Sequence, residues 1–210
     1  MQIDAAHLDA EATYRLLTGL VVPRPIAWIT SLSPAGVLNL APFSAFTFVS
    51  AKPPMLGVNI GRKAGLRKDT GSNLLARGEY VVNIGDRSHL WQIHESSAEL
   101  PADASEVALL NLATAPSDAI AVPRLADVPV AMECRLRQVI PFGDTGSEFF
   151  VGEVLRFHLR DGLMRDGKVD TRALDPVCRI AGPNYATLGE ITTLRVIAQT
   201  AKTVIGAGDG

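Results

Sequence analysis

A proline interrupts the stretch that most restricts the fold of this chain, NLAPFSAFTFVSAKPPML at residues 39–56. The surrounding apolar and β-branched residues favour a strand, but proline cannot donate a hydrogen bond within a sheet. Pro42 therefore belongs at a sheet edge, at a strand start or in a bulge. The small residues from Ala41 to Ser44 would also let a flat heteroaromatic ring approach the backbone. The alternative is a bulge that only bends the strand, and the residues leave both interpretations open.

Short strand-like segments dominate the rest of the sequence. Residues 25–43 predict a β-hairpin, because turn residues at 33–36 separate two apolar runs. Further strands are predicted at 55–60, 80–84, 130–140, 148–159 and 191–198. Helices are predicted at 8–17, 69–77, 88–97 and 105–112, the second with Asp69 as its N-cap and Gly78 at its end. This pattern indicates a mainly β protein with one antiparallel sheet curled into a barrel and a few helical inserts.

Composition limits the classes of function. A chain of 210 residues with 47% hydrophobic and 20% charged residues is typical of one globular domain, expected over residues 1–210 with a fraying tail at about 200–210. The net charge of −2 provides no attraction to nucleic acid or to an anionic membrane. Cys134 and Cys178 form no CxxC pair, and the N-terminus lacks the pattern of a signal peptide. We therefore expect a cytoplasmic protein with no disulfide and with neither nucleic acid nor membrane as partner.

The loop NIGRKAGLRKDTGSN at residues 59–73 is the strongest candidate for anion binding. It carries four cations around one anion, namely Arg62, Lys63, Arg67 and Lys68 around Asp69. The loop leads into a predicted helix, whose free backbone N–H groups and dipole favour an anion such as phosphate. Thr70 and Ser72 add hydroxyl donors there. The loop matches neither GxxxxGK[ST] nor GxGxxG, and a solvated basic loop with a capped helix is the alternative.

Groups for acid–base or metal chemistry are sparse in this sequence. The four histidines form no HExxH or other metal-ligand spacing, and no pair of carboxylates has a useful spacing, so no metal is expected. His158, near the end of GEVLRFHL, is a weak catalytic candidate, since a lone strand histidine is more often structural or exposed. The two cysteines are expected to be buried, small apolar residues.

Several segments, in order, resemble one family. PRPIAWITSLSPAGVLNLAPFSAFTFVSAKPPMLGVNI and RKDTGSNLLARGEYVVNI closely resemble the flavin reductase-like proteins with the FMN-binding split-barrel fold, with the flavoredoxin group as the nearest branch. VPVAMECRL, VGEVLRFHL and VCRIAGPNYATLG agree as well, so the resemblance covers about residues 15–195. It implies a six-stranded antiparallel Greek-key split barrel, a homodimer, and FMN bound in a groove near the subunit interface.

The resemblance also implies which residues contact FMN. The isoalloxazine ring and ribityl chain would lie along Ala41, Pro42, Phe43, Ser44, Ala45 and Phe46, and would meet Thr30, Ser31 and Asn59. The phosphate would be bound by Arg62, Lys68, Asp69 and Thr70. A C-terminal motif, Arg179, Gly182, Asn184 and Tyr185, would border the site from the same or the partner chain, or would hold the dimer together.

The implied activity is hydride transfer from NADH or NADPH to FMN, with FAD a less expected cofactor. Reduced flavin would pass electrons to free flavin, a metal complex, oxygen or a protein such as a monooxygenase. His158 would contact the nicotinamide or the charge of the reduced flavin. A flavoredoxin-type electron carrier that oxidises no pyridine nucleotide is the first alternative. A non-catalytic protein that retained the barrel and a split-barrel oxidase acting on pyridoxamine phosphate are the others.

Overall fold

A computed structural model describes residues 1–198. Seven strands form one antiparallel sheet: β1 (Ala27–Leu32), β2 (Leu38–Phe43), β3 (Phe46–Ala51), β4 (Pro54–Ile60), β5 (Glu79–Ile84), β6 (Val130–Phe142) and β7 (Ser147–Leu159). Their order across the sheet is β2-β1-β5-β6-β7-β4-β3. The predicted mainly β fold is confirmed, but this sheet has seven strands, not six. The extra strand arises because residues 38–51 form two strands that pair with different neighbours.

The interruption at Pro42 explains how the sheet closes. β2 and β3 lie at opposite edges of the sheet, yet only Ser44 and Ala45 separate them along the chain. The sheet must therefore curl until its two edges meet, and at that corner the Asn59 N–H donates to the Ala45 carbonyl at 2.8 Å. Pro42 lies on an edge strand, where a missing N–H is tolerated.

Both faces of the central strands are buried, which produces two cores. Ile29, Val82 and Phe150 belong to a cluster inside the barrel. Because successive side chains of a strand point to opposite faces, Trp28 of β1 packs into a second cluster with Ile93, between the barrel and the helical inserts. The inserts are thus fixed to the outside of the barrel by burial of apolar surface.

Five α-helices lie within residues 1–198: α1 (Ala10–Leu20), α2 (Asp69–Arg77), α3 (Leu90–Glu95), α4 (Glu106–Leu109) and α5 (Thr171–Leu174). Short 3-10 helices occupy Ala5–His7 and Arg87–His89. The bounds of α2 are those predicted, although Lys68 is the N-cap residue and Asp69 the first helical one. Gly78 ends α2 with a φ of +69°, as glycine permits. None of the helices among these residues is long and apolar enough to cross a membrane.

The predicted strand at 191–198 is wrong, because these residues form no regular secondary structure. A strand needs a partner edge, and the two edge strands of the main sheet meet at the corner. The C-terminal part instead contributes Cys178–Arg179 and Tyr185–Ala186 to a small sheet with Arg24–Pro25. Two-residue strands also pair Thr114–Ala115 with Arg124–Leu125, Met164–Arg165 with Lys168–Val169, and Arg62–Lys63 with Leu66–Arg67. The predicted tail at 200–210 lies outside the described residues.

Both cysteines are free thiols in the described part of the chain. Cys134 is buried in the barrel, and burial raises the pKa of its thiol to about 12, so it stays protonated. Cys178 is half-buried, less than the sequence predicted.

Candidate functional site

A groove of about 1120 Å³ runs beside the corner between β2 and β3. Its walls come from α1, the corner, residues 59–62 and the segment 179–185. The corner is open because β2 and β3 diverge there. Eleven of the predicted site residues line this groove: Pro42, Phe43, Ser44, Ala45, Phe46, Asn59, Arg62, Lys68, Arg179, Gly182 and Tyr185.

A second groove of about 360 Å³ adjoins the first. Pro42, Phe43 and Lys68 line both, so Lys68 stands where the two grooves meet. Three further predicted residues line the second groove: Ala41, Asp69 and Thr70. The Thr70 side chain is buried and its hydroxyl donates to Asn39 Oδ1 at 2.8 Å. Thr70 therefore holds α2 against β2, and its hydroxyl proton is already used within the chain.

Thr30 and Ser31 do not reach either groove. Both are fully buried, and Thr30 Oγ1 donates to the Pro123 carbonyl at 2.8 Å. Ser31 Oγ donates to Asn39 Oδ1 at 3.3 Å. The structure therefore does not bring these two side chains to the grooves, because helices and loops cover the outer face of β1 as well as its inner face. Asn184 also lines neither groove, and its Nδ2 instead donates to the Ala181 carbonyl at 2.8 Å.

His158 lies outside both grooves, in a closed polar cluster with Glu133 and Asp118. His158 Nε2 is 2.5 Å from Glu133 Oε1, and Glu133 accepts the N–H groups of Asp118 at 2.8 Å and Ala119 at 2.6 Å. Burial alone would raise the pKa of Glu133, but these hydrogen bonds outweigh it and lower the pKa. Asp118 is in turn paired with Arg156 at 3.0 Å. Each group of the cluster is thus already bonded within the chain, and the structure does not bring His158 to the grooves.

Most cations of the basic loop are neutralised by acids from distant parts of the chain. Arg62 and Arg67 both pair with Glu148, at 3.2 and 2.8 Å, and Lys63 pairs with Glu99 at 2.8 Å. The hydrogen bond from Arg67 lowers the pKa of Glu148, which keeps this carboxyl ionised. The strong positive charge that the sequence suggests is therefore much reduced.

Lys68 is the exception in this loop. Within residues 1–198 it makes no salt bridge, and its Nζ lies 5.8 Å from the centre of the Phe43 ring. It directly precedes α2, whose first N–H groups have no partner within the helix. An exposed ammonium group beside a helix N-terminus favours an anion in the adjoining groove.

Asn59 provides an unmet hydrogen-bond acceptor in the larger groove. Its Oδ1 is buried and has no hydrogen-bond partner among the described residues, whereas its backbone N–H is used at the corner. A buried amide oxygen without a donor costs about 1–3 kcal/mol. A bound molecule with an N–H or O–H group at this position would remove that cost.

Arg24 was missed by the sequence analysis, although it lines the groove. Its guanidinium donates to the carbonyls of Thr18 and Val21, both at 2.6 Å, to the Ile180 carbonyl at 3.1 Å and to Ser44 Oγ at 3.3 Å. It therefore ties the end of α1, the corner and the C-terminal segment together. An arginine flanked by two prolines was the available signal, since proline supplies no N–H and leaves neighbouring carbonyls to side-chain donors.

Tyr185 carries a polar cluster at the rim of the groove. Arg179 Nη1 donates to the Tyr185 hydroxyl oxygen at 2.5 Å, and His94 Nδ1 lies 3.1 Å from the same oxygen. Burial raises the pKa of Tyr185, and Arg179 only partly offsets this, so the phenol stays protonated. His94 was also missed, because no sequence spacing connects α3 with residues 179–185.

A family model described as a flavin reductase like domain matches residues 19–172. The chain belongs to the flavin reductase-like family. It is similar to nitrilotriacetate monooxygenase component B from Bacillus cereus, with 40% identity and a TM-score of 0.90 over 92% of this chain and 98% of that chain. It is also similar to 2-nitrobenzoate 2-nitroreductase NbaA from Pseudomonas fluorescens, with 31% identity and a TM-score of 0.81 over 99% and 100% of the two chains.

The flavoredoxin of Desulfovibrio vulgaris (Miyazaki F) has the same fold, with 20% identity and a TM-score of 0.74 over 92% of this chain and 96% of that chain. The family predicted from the ordered motifs is thus confirmed.

Proposed function

We propose that this flavin reductase-like protein binds FMN in the larger groove and transfers hydride to it from NADH or NADPH. The observation that carries the proposal is the groove lined by Asn59, whose buried Oδ1 has no donor among the described residues. Family membership and 40% identity to a monooxygenase component B support the same activity.

The residues of the groove fit a flavin. Asn59 would accept a hydrogen bond from an N–H of the ring or a hydroxyl of the ribityl chain. The corner from Pro42 to Phe46 offers apolar and small side chains, and the groove of about 1120 Å³ is at the upper end of the size of ligand sites. Lys68 and the first N–H groups of α2 would bind the phosphate. A single unpaired lysine in the loop matches one terminal phosphate, which favours FMN over FAD.

The bound flavin would supply the hydride chemistry. The chain's contribution is to hold the ring, exclude water and leave room for the nicotinamide, because alignment of the reacting atoms provides most of the acceleration for such a transfer. None of these tasks needs an acid–base residue, so the distance of His158 from the groove is compatible with the proposed activity.

The proposal includes a homodimer and a partner that accepts reduced flavin, such as a monooxygenase. α1 supports the homodimer because it is amphipathic yet has no buried residue, and Tyr14, Leu17 and Leu20 of α1 are exposed. Tyr14 and Leu17 also line the groove, so a second copy that covers α1 would border the cofactor as well.

The test is a visible spectrum of the purified protein with FMN, before and after anaerobic addition of NADH or NADPH. We expect an absorbance band of bound flavin that is bleached by NADH or by NADPH. A band that neither bleaches would move the assignment to an electron carrier of the flavoredoxin type. If FMN does not bind, the proposed function is wrong.

A variant pair tests the phosphate position. Lys68→Ala should raise the Kd for FMN roughly 10- to 100-fold, because a charged hydrogen bond contributes about 1.5–3 kcal/mol. Lys63→Ala is the matched control, since its ammonium group in the same loop is already paired with Glu99. Equal weakening by both variants would mean that the loop acts only through its overall charge.

A further inference from the structure

We propose that Tyr185 donates the proton to an α,β-unsaturated carbonyl compound that is reduced in the groove, and that His94 positions the Tyr185 hydroxyl. This inference rests on the proposed function, because reduced flavin would supply the hydride. It adds a substrate class and an acid to a site that otherwise only orients its ligands.

Tyr185 is held at the groove from two sides. Its half-buried ring lines the groove, and the guanidinium carbon of Arg179 lies 4.7 Å from the ring centre. The His94 ring meets it edge-on, with centres 5.7 Å apart and an angle of 90° between the planes. The hydroxyl therefore has a defined position relative to the groove, which a proton donor requires.

The hydrogen bonds determine where the hydroxyl proton points. A guanidinium group can only donate, so the Tyr185 oxygen accepts from Arg179. When Nδ1 of His94 carries no proton, the phenol proton is donated to it. If His94 instead gains a proton at Nδ1, that N–H donates to Tyr185 and the phenol O–H is released toward the groove. His94 and Arg179 are the titratable groups that contact the hydroxyl, one from α3 and one from the C-terminal segment.

The reaction balances with these groups. Hydride from reduced flavin forms the C–H bond at the β carbon, and the C=C π electrons form the C–H bond at the α carbon with the Tyr185 proton. The substrate gains one hydride, which carries the two electrons, and one proton, and the flavin is oxidised. The phenolate left behind lies against the Arg179 guanidinium, which neutralises its charge, and it recovers a proton from His94 or from water.

This substrate class follows from the presence of a positioned, protonated phenol. An oxidant that takes only electrons, such as a ferric complex, needs no proton from the protein. An unsaturated carbonyl compound needs hydride and proton together, and its flat, uncharged skeleton suits a groove with aromatic and prolyl walls. The Tyr185 hydroxyl thus provides a proton that the second kind of acceptor uses and the first does not.

The experiment compares two oxidants. FMN-loaded protein, reduced anaerobically with dithionite, is mixed with trans-cinnamaldehyde or with ferricyanide, and flavin reoxidation is followed. Tyr185→Phe keeps the ring and should slow reoxidation by cinnamaldehyde at least tenfold more than reoxidation by ferricyanide. Tyr14→Phe removes the other phenol that lines the groove and should leave the ratio of the two rates as in the wild type.

The outcomes separate the proposals. If Tyr185→Phe slows both oxidants equally, or if wild-type protein reacts with ferricyanide but not with cinnamaldehyde, the inference is overturned and the proposed function stands. If the wild-type protein does not bind FMN, both the inference and the proposed function are wrong. Nitrogen NMR of flavin-free protein is an independent readout: the Nδ1 signal of His94 should shift in Tyr185→Phe. An Nδ1 signal that does not change in Tyr185→Phe would overturn the positioning role of His94.

Discussion

Two polar clusters in this protein contain the residue types of an active site, yet they differ in how their hydrogen bonds are used. In the first, Glu133 accepts two backbone N–H groups and is bonded to His158, so little capacity remains. In the second, Asn59 Oδ1 is buried without a donor and Lys68 has no salt bridge within residues 1–198. We therefore expect the binding site at the groove, where hydrogen-bonding capacity is unmet, rather than at the histidine and carboxylate of the first cluster.

Replacement of Glu133 should give the largest effect and tests whether its cluster is separate from the binding site. Glu133→Ala leaves His158 and two backbone N–H groups without their acceptor, so the free energy of unfolding should fall by about 3–5 kcal/mol. FMN affinity of the folded fraction should stay within twofold. Urea unfolding and flavin titration measure the two effects.

Glu153→Ala on the same hairpin is the control, since the Arg137–Glu153 pair lies at the surface and should contribute only about 0–1 kcal/mol. Loss of FMN binding in Glu133→Ala at unchanged stability would show that the closed cluster belongs to the site.

A second variant tests Asn59, whose side-chain oxygen has no donor among the described residues. Asn59→Leu replaces an unmatched amide with an apolar side chain of similar size, so flavin-free protein should become as stable as the wild type or more stable, by up to about 1–3 kcal/mol. The Kd for FMN should rise at least tenfold.

Asn83→Leu is the matched control. Asn83 is fully buried, donates to the Trp28 carbonyl at 2.9 Å and accepts from the Leu125 N–H at 3.1 Å, so its replacement should destabilise the protein. If Asn59→Leu destabilises flavin-free protein as strongly, Asn59 is a structural residue.

The sequence was sufficient for much of the fold because the signals were local. Apolar runs separated by turn residues predicted β1, β2 and the long hairpin, and Gly78 marked the end of α2. Pro42 indicated an edge, and the corner where the sheet closes lies beside it. The strand predicted at 191–198 failed because alternation cannot show whether an edge is free to pair.

The site was predicted less completely because its chemistry depends on distant contacts. His158 and Ser147 lie on the same strand, β7, but their separation along an extended strand is roughly 35 Å, so only Ser147 reaches the groove. Likewise, nothing near the basic loop indicates that Glu148 neutralises Arg62 and Arg67. Pairings of this kind require knowledge of the sheet register.

The pH dependence of stability gives the smallest expected effect and the finest test of the comparison. Glu133 has a lowered pKa in the folded protein, so its stabilisation is present above the unfolded value of about 4.3 and is lost as the pH falls through the folded value. Glu106, which lines the second groove, has a pKa raised by burial. The stabilisation by Glu106 has the opposite pH dependence: it is fully present below about pH 4.3 and is lost as the pH rises through the folded pKa.

Unfolding free energies of wild type, Glu133→Gln and Glu106→Gln between pH 3 and 7 measure both contributions. Relative to the wild type, Glu133→Gln should lose its disadvantage as the pH falls, because the carboxylate it lacks becomes protonated in the wild type as well. Glu106→Gln should improve relative to the wild type as the pH rises, because the wild type must then hold a buried charge. The two difference curves should therefore slope in opposite directions with pH, with the Glu133 effect concentrated below about pH 4.3 and the Glu106 effect above it. A flat difference for Glu133→Gln would mean that the closed cluster does not hold an ionised carboxylate.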